Sequence, residues 1–192
     1  MTIEAGGLRL GCRLEGSGEP LVLLHGMHSH SGTWRKLFPL LTERFLVFAP
    51  SLPSYPGQPM ETVVERWADL VSSACGALRI LDASLIGNSI GGWVAMRLAE
   101  DRGLVGRLVL EATAGGESPD SDRLASSLVP TLLVWGTEDD VTPLSRGRIL
   151  NSKLAGSRLE VIQGAGHVPH WEQPERFLTL VETFFGLRSS GV

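Results

Sequence analysis

The sequence predicts an α/β fold with a mostly parallel central sheet and helices on both faces. Three observations predict it. Short apolar runs alternate with amphipathic stretches along the chain, the pattern of strands buried on both sides by crossover helices. Most of these runs stop at a Gly or Pro, where a strand gives way to a loop. The chain is 43% hydrophobic and 20% charged, which is globular rather than disordered. Its 192 residues suit one domain spanning 1–192, with a core that needs no staples.

The elements follow in order. Residues 8–14 (LRLGCRL) alternate in type and predict an edge strand. Residues 21–24 (LVLL) are a buried strand ending at His25-Gly26. Trp34, Leu37, Phe38 and Leu41 recur at helical spacing, predicting a helix over 33–43. FLVFA at 45–49 is a second buried strand, ended by Pro50. Val63, Val64, Trp67, Leu70, Val71 and Leu78 share one face of a helix over 61–78. A third strand, 83–86, stops at Gly87, and 90–100 reads as a helix apolar nearly all round, hence buried. Strands follow at 104–112, 131–135 and 159–162, with a helix after Pro143 and a closing helix over 172–185. The stretch 113–122 (TAGGESPDSD) is the most loop-like. The tail at 189–191 is expected to fray.

Composition excludes several functions. Seventeen Lys and Arg against 21 Asp and Glu give a net charge of −4, without the basic stripe of a nucleic-acid surface. No apolar run spans a membrane and no basic leader precedes one, so a cytoplasmic protein is expected. Cys12 and Cys75 stand in unrelated contexts and read as reduced, partly buried thiols. His25, His28 and His30 form H-x-x-H-x-H without a nearby carboxylate, too few ligands for a metal; no metal or cofactor is expected. Arg97, Arg102 and Arg107 read as solvated helix and loop residues.

One segment carries chemistry. Gly87-Asn88-Ser89-Ile90-Gly91 is G-x-S-x-G, with Ser89 at a turn from strand into buried helix. Such a turn is sharp, so positions two before and two after the serine must be small; both are Gly. By itself the motif also fits a plain Gly/Ser turn. Two later segments weigh against that reading. Asp139 lies in the loop after 131–135, and His167 in a Gly-flanked loop after 159–162. A serine needs a base to become nucleophilic, and a histidine needs a carboxylate to fix its tautomer. The order Ser, Asp, His suits this turn, although Glu138 and Asp140 compete for the acid role.

With LVLLHG, GNSIGG, VWGTEDDVTP and GAGHVPHWEQPERF in this order, residues 8–186 resemble the α/β-hydrolase superfamily. The resemblance implies Ser89 as nucleophile, Asp139 as acid by its spacing from Gly136, and His167 as base. It implies an oxyanion hole from the backbone N–H groups of Met27 and Ile90. Gly26, His28, Asn88, Val141 and Val168 are candidates for substrate contact. His170, Trp171, Trp34 and Trp93 are either pocket walls or packing residues.

The chain departs from the family twice. Residues 113–130 stand where relatives carry a multi-helix cap, room for one short helix over 121–128. An open site is expected, or one lidded by an oligomer partner. Ser51, in the stiff APSLPSYPG loop, stands where relatives carry Asp. The resemblance implies a serine carboxylesterase acting on a small-molecule acyl substrate. A thioesterase, a lactonase, a carbon–carbon bond hydrolase and a non-catalytic small-molecule receptor on the same scaffold remain open, as does a homo-oligomer.

Overall fold

The computed structural model describes residues 1–100 and 103–187. Arg102 and the tail at 189–191 lie outside them. The strands are β1 (Thr2–Ala5), β2 (Leu8–Gly16), β3 (Glu19–Leu24), β4 (Phe45–Pro50), β5 (Ala83–Asn88), β6 (Val105–Glu111), β7 (Thr131–Gly136) and β8 (Arg158–Ile162). They form one sheet in the order β1-β2-β4-β3-β5-β6-β7-β8. β3 to β8 are mutually parallel, and β2 is antiparallel to both β1 and β4.

Alternation along each strand feeds two cores. Val22, Leu24, Leu108, Leu110, Leu133 and Trp135 face one layer. Leu21, Leu23, Val109, Leu132 and Val134 face the other. Both sets are buried, which is why the strands read as continuous apolar runs. The first layer is closed by α2 (Met60–Leu78) and α3 (Ile90–Leu98), with α4 (Pro119–Ser127) and α5 (Leu144–Lys153) beside them. The second is closed by α1 (Phe38–Thr42) and α7 (Pro174–Phe185), preceded by the single turn α6 (Pro169–Glu172). Strand order reverses between β3 and β5. The loops leaving those two strands therefore diverge over a crevice at the sheet's C-terminal edge, where ligands of open α/β sheets bind.

Several expectations need correction. Residues 8–14 do not form the edge: β1 pairs with β2 outside it, through the tight Gly6-Gly7 turn, both glycines at positive φ. The helix expected over 33–43 is broken into a 3-10 turn, Ser31–Lys36, and α1. Pro39 has no N–H to donate backwards and fits only a first helical turn, so the helix must restart before it. Pro174 divides the closing helix in the same way. The loop-like stretch 113–122 already enters α4 at Pro119, which sits in the first turn. α3 ends at Leu98 rather than at residue 100. Both thiols are buried, Cys75 the more deeply; burial pushes the Cys75 thiol up to about 12 and raises that of Cys12.

Arg97 is not a freely solvated residue. Its Nε lies 2.7 Å from Oδ1 of Asp120, a carboxylate only 2% exposed. Besides this ion pair, Asp120 accepts hydrogen bonds from Trp93 Nε1 (2.7 Å) and Arg123 (3.3 Å). This cluster pins α4 to α3. Arg107 lies in β6, half-exposed, 3.8 Å from Glu19. Among the described residues no helix is long and apolar enough to cross a membrane.

Replacing Asp120 by Ala leaves the Trp93 indole N–H without its acceptor. The buried Arg97 Nε loses its counter-charge as well, and the expected loss is about 1–3 kcal/mol. Urea denaturation of Asp120→Ala reads it directly. An unchanged midpoint would mean that Asp120 does not anchor α4.

Candidate active site

The turn between β5 and α3 is governed by close backbone approach. A Cβ on Gly87 would lie 2.4 Å from the carbonyl oxygen of Gly91, and one on Gly91 would lie 2.3 Å from that of Leu24. Neither obstacle can move, since both are backbone. The two small positions required by the motif are thus needed for contact within the turn and against the end of β3. Ser89 sits between them at φ 55°, ψ −120°, outside the regions L-residues favour. Its amide donates to the Glu111 carbonyl (2.9 Å). Its carbonyl accepts from the amides of Gly92, Trp93 and Ala114 and from Thr113 Oγ1. These bonds hold the strained residue in place, and its side chain is part-accessible.

The loop after β3 crosses over this turn. A Cβ on Gly26 would come within 2.8 Å of Asn88 Oδ1 and 3.3 Å of Ser89 Cβ. The backbone N–H groups of Met27 and Ile90 find no acceptor among the described residues. Ile90 is the first residue of α3, where an amide has no intrahelical partner. Buried His25 organises the loop from beneath. Its Nε2 accepts from the Leu52 amide (2.9 Å), so Nδ1 carries the proton and donates to the Gly26 carbonyl (2.8 Å). Burial lowers the affinity of this ring for a second proton, and nearby His30 adds to the effect against the opposing Gly26 hydrogen bond. Ser51, at the position of the expected Asp, pairs with Ser31 Oγ (2.8 Å) and accepts from the Ser31 amide (3.2 Å). A short hydroxyl pair thus ties the Pro-rich loop to the 3-10 turn. Trp67 Nε1 anchors the same loop through the Pro53 carbonyl (2.8 Å).

The structure brings Asp139 to His167. The two carboxylate oxygens lie 3.1 and 3.0 Å from His167 Nδ1. Asp139 is buried, whereas Glu138 and Asp140 are exposed. It also accepts from the amides of Val141 (2.9 Å) and Thr142 (2.8 Å), and Thr142 Oγ1 lies 2.9 Å from its Oδ2. The His167 loop is tied to the serine turn by Asn88, whose Nδ2 donates to the His167 carbonyl (3.1 Å). His167 keeps its side chain 18% exposed, so solvent or a ligand can reach the ring.

The other candidates divide. Asn88 is buried and structural in its contacts. His28 is exposed at φ 57°, and Val141 is 61% exposed. Val168 borders a shallow depression with His30, Thr33, Arg35 and Trp171. Trp34 and His170 are packing residues, stacked at 3.9 Å and buried. Trp93 does wall a cavity. That cavity, about 340 Å3, lies between Trp93, Thr113, Trp135, Ile149 and Leu150, with charged Glu61, Glu117 and Arg146 also lining it; Ser89, Asp139 and His167 do not. Both indole N–H groups are satisfied elsewhere, by Asp120 and by the Thr142 carbonyl.

Sequence reasoning missed Thr142, Glu111 and Glu172. Glu172 accepts from the amides on either side of His167, Gly166 (2.6 Å) and Val168 (2.9 Å). Its spacing after the His, like that of Thr142 after Asp139, was visible but gave no sign of direction.

Residues 21–123, more than half of the chain, match the alpha/beta hydrolase family. The chain belongs to this family. Among its relatives is 2-hydroxymuconate semialdehyde hydrolase of Pseudomonas sp. (strain CF600), 32% identical over 152 residues, covering 75% of this chain and 51% of that protein. Another is pimeloyl-[acyl-carrier protein] methyl ester esterase of Aeromonas hydrophila, 22% identical over 246 aligned positions, covering 89% of this chain and 97% of that protein. Because that alignment is longer than this chain, roughly three in ten of its positions have no counterpart here. The fold superposes on meta-cleavage product hydrolase from Pseudomonas fluorescens IP01 with a TM-score of 0.85, at 22% identity and 97% coverage of both chains.

The hydrolase scaffold depends on neutral His25. An unfolded chain takes up a proton near the ordinary imidazole value of about 6.5, and the folded ring resists it. Stability is therefore expected to fall as pH drops below about 6.5. In His25→Gln this slope should shrink by up to one proton, on top of a uniform loss at neutral pH. Urea midpoints between pH 5 and 8 measure it; identical slopes would contradict the assignment.

Proposed function

We propose that this chain is a serine hydrolase cleaving carboxylic esters through an acyl-enzyme. The observation that carries this is the approach of both Asp139 oxygens to His167 Nδ1, in a loop bound by Asn88 to the strained Ser89 turn. With Nδ1 engaged, Nε2 is the nitrogen left to act as base. In this reading Ser89 Oγ attacks the ester carbonyl carbon and His167 Nε2 takes the hydroxyl proton. Asp139 holds the tautomer and offsets the imidazolium charge. The unpartnered amides of Met27 and Ile90 donate to the oxyanion, each worth about 3 kcal/mol in comparable sites. The imidazolium then protonates the departing alcohol. Water, deprotonated by His167, attacks the acyl carbon, and the carboxylic acid leaves as Ser89 recovers its proton.

In the same reading the 192 residues form one hydrolase domain. Residues 113–130, with α4, serve as a short connection in place of a longer insertion. The 340 Å3 cavity lined by Trp93 and Thr113, both hydrogen-bonded to the Ser89 carbonyl, receives the acyl group or the alcohol. Trp93, Trp135 and Leu150 suit an apolar part of the substrate, next to the charged Glu61, Glu117 and Arg146.

A second reading, carbon–carbon bond hydrolysis, is favoured by the names of two similar proteins and by the Gly-Asn-Ser turn. The first is preferred because the short 113–130 connection offers little enclosure to hold and orient a ring-cleavage product.

The test is a p-nitrophenyl ester series, acetate to decanoate, run on wild type, Ser89→Ala and Asp139→Asn. Turnover is expected with the optimum at short to medium acyl length. Ser89→Ala should lose at least about a thousandfold, and Asp139→Asn about 10²–10⁴-fold. Turnover that survives in Ser89→Ala would sink the mechanism. No turnover of any ester, with cleavage of a dienoic ring-cleavage product, would favour the second reading.

A further inference from the structure

One buried ionisable pair takes no part in the chemistry above. Glu111 ends β6 and is fully buried; His170 is 1% exposed. Glu111 Oε1 accepts from the His170 amide at 2.6 Å, and Oε2 lies 2.6 Å from His170 Nδ1. On the far side, His170 Nε2 meets Thr33 Oγ1 at 2.9 Å, in the 3-10 turn that follows the Met27 loop. The main-chain carbonyl of Glu111 is the acceptor for the Ser89 amide. One residue thus touches the Ser89 turn with its backbone and the His167 segment with its side chain, and reaches the oxyanion-side loop through a single ring.

We infer that Glu111 is a positioning residue for the proposed reaction, setting the distance between Ser89 and His167. The inference rests on the serine-hydrolase reading. Only Val168 and Pro169 separate His167 from His170, so fixing the backbone and ring of His170 limits where His167 can point. Glu172 also grips this loop, but it is exposed, and its bonds compete with water. Those of Glu111 do not. The β6–β5 pairing places Glu111 opposite Asn88, so the reference for the His167 loop is the strand next to the serine itself. Reach, not charge, is what this role needs.

Two substitutions separate reach from charge. Glu111→Gln keeps the length. Its oxygen can accept from the His170 amide while its NH2 donates to Nδ1, with His170 switching to the tautomer whose Nε2–H donates to Thr33. Glu111→Asp keeps the charge but falls short by one C–C bond, about 1.5 Å. Kinetics on p-nitrophenyl butyrate, normalised to sites titrated with a fluorophosphonate, are the readout. The expected result is kcat within about threefold of wild type for Glu111→Gln. For Glu111→Asp, kcat should fall about 10–100-fold with KM within about twofold, as a displacement near 1 Å at a reacting centre can do.

An unchanged kcat per titrated site in Glu111→Asp would overturn the inference, leaving Glu111 a stability residue. So would equal damage in both variants, or damage only in Glu111→Gln. If Glu111→Asp does not fold, Thr33→Val loosens the outer end of the same chain. A lower kcat at constant KM then supports the role, and an unchanged kcat overturns it. A wild type that neither turns over esters nor reacts with the fluorophosphonate removes the serine-hydrolase reading itself, and this inference with it.

Discussion

Backbone packed directly on backbone at the switch point of the sheet constrains everything else in this molecule. β5 turns into α3 so tightly that Gly87 and Gly91 nearly touch, and Gly91 lies against the carbonyl that ends β3. No side chain fits in either gap. This contact fixes the height of Ser89 above the sheet and its positive φ, and it brings the Gly26–Met27 loop over the same turn. The hydrogen bonds that compensate the strain come from neighbouring strands: the Glu111 carbonyl at the end of β6, and Thr113 and Ala114 just beyond it. The site is therefore an outcome of strand order rather than of flexible loops closing on one another.

The remaining parts are arranged by buried polar groups, each satisfied in a way that also sets a direction. His25 is held as one tautomer by Leu52 and Gly26 and supports the Gly26–Met27 loop. Asp139 is surrounded by two amides and a hydroxyl and turns its two oxygens to His167. Glu111 and His170 join the loops that carry Ser89, His167 and Met27. Unsatisfied, such groups would each cost about 1–3 kcal/mol; satisfied, they make the geometry rigid. The Asp120 cluster does the same for Trp93, whose indole forms one wall of the adjoining cavity.

Much of this was legible in the sequence, because periodicity and local chemistry report it. The apolar runs at 21–24, 45–49 and 131–135 could only be strands buried on both faces, and Gly-x-Ser-x-Gly at a strand end specified the turn. The loops that carry Asp139 and His167 were legible through their positions after strands, and the choice of Asp139 over Glu138 and Asp140 came from the family resemblance. What escaped was set by tertiary contact. β1 is four residues long and half exposed, so it has little pattern of its own and exists by pairing with β2. The break between the 3-10 turn and α1 was signalled by Pro39, but the helical spacing of Trp34, Leu37, Phe38 and Leu41 hid it. Arg97 looked solvated because its partner, Asp120, is 23 residues away in a stretch that reads as loop. Glu111 looked like an ordinary polar strand end, and His170 like a wall residue, until the fold placed one against the other.

The central claim is that Ser89 becomes covalently acylated. Rapid mixing of the enzyme with a p-nitrophenyl ester, acid quenching within the first turnovers and mass spectrometry of the digested chain tests it most directly. If Ser89 is the nucleophile, the peptide containing it carries one acyl mass, which decays at the rate of steady-state turnover. Ester hydrolysis with no adduct on that peptide, or with an adduct on any other residue, would contradict it.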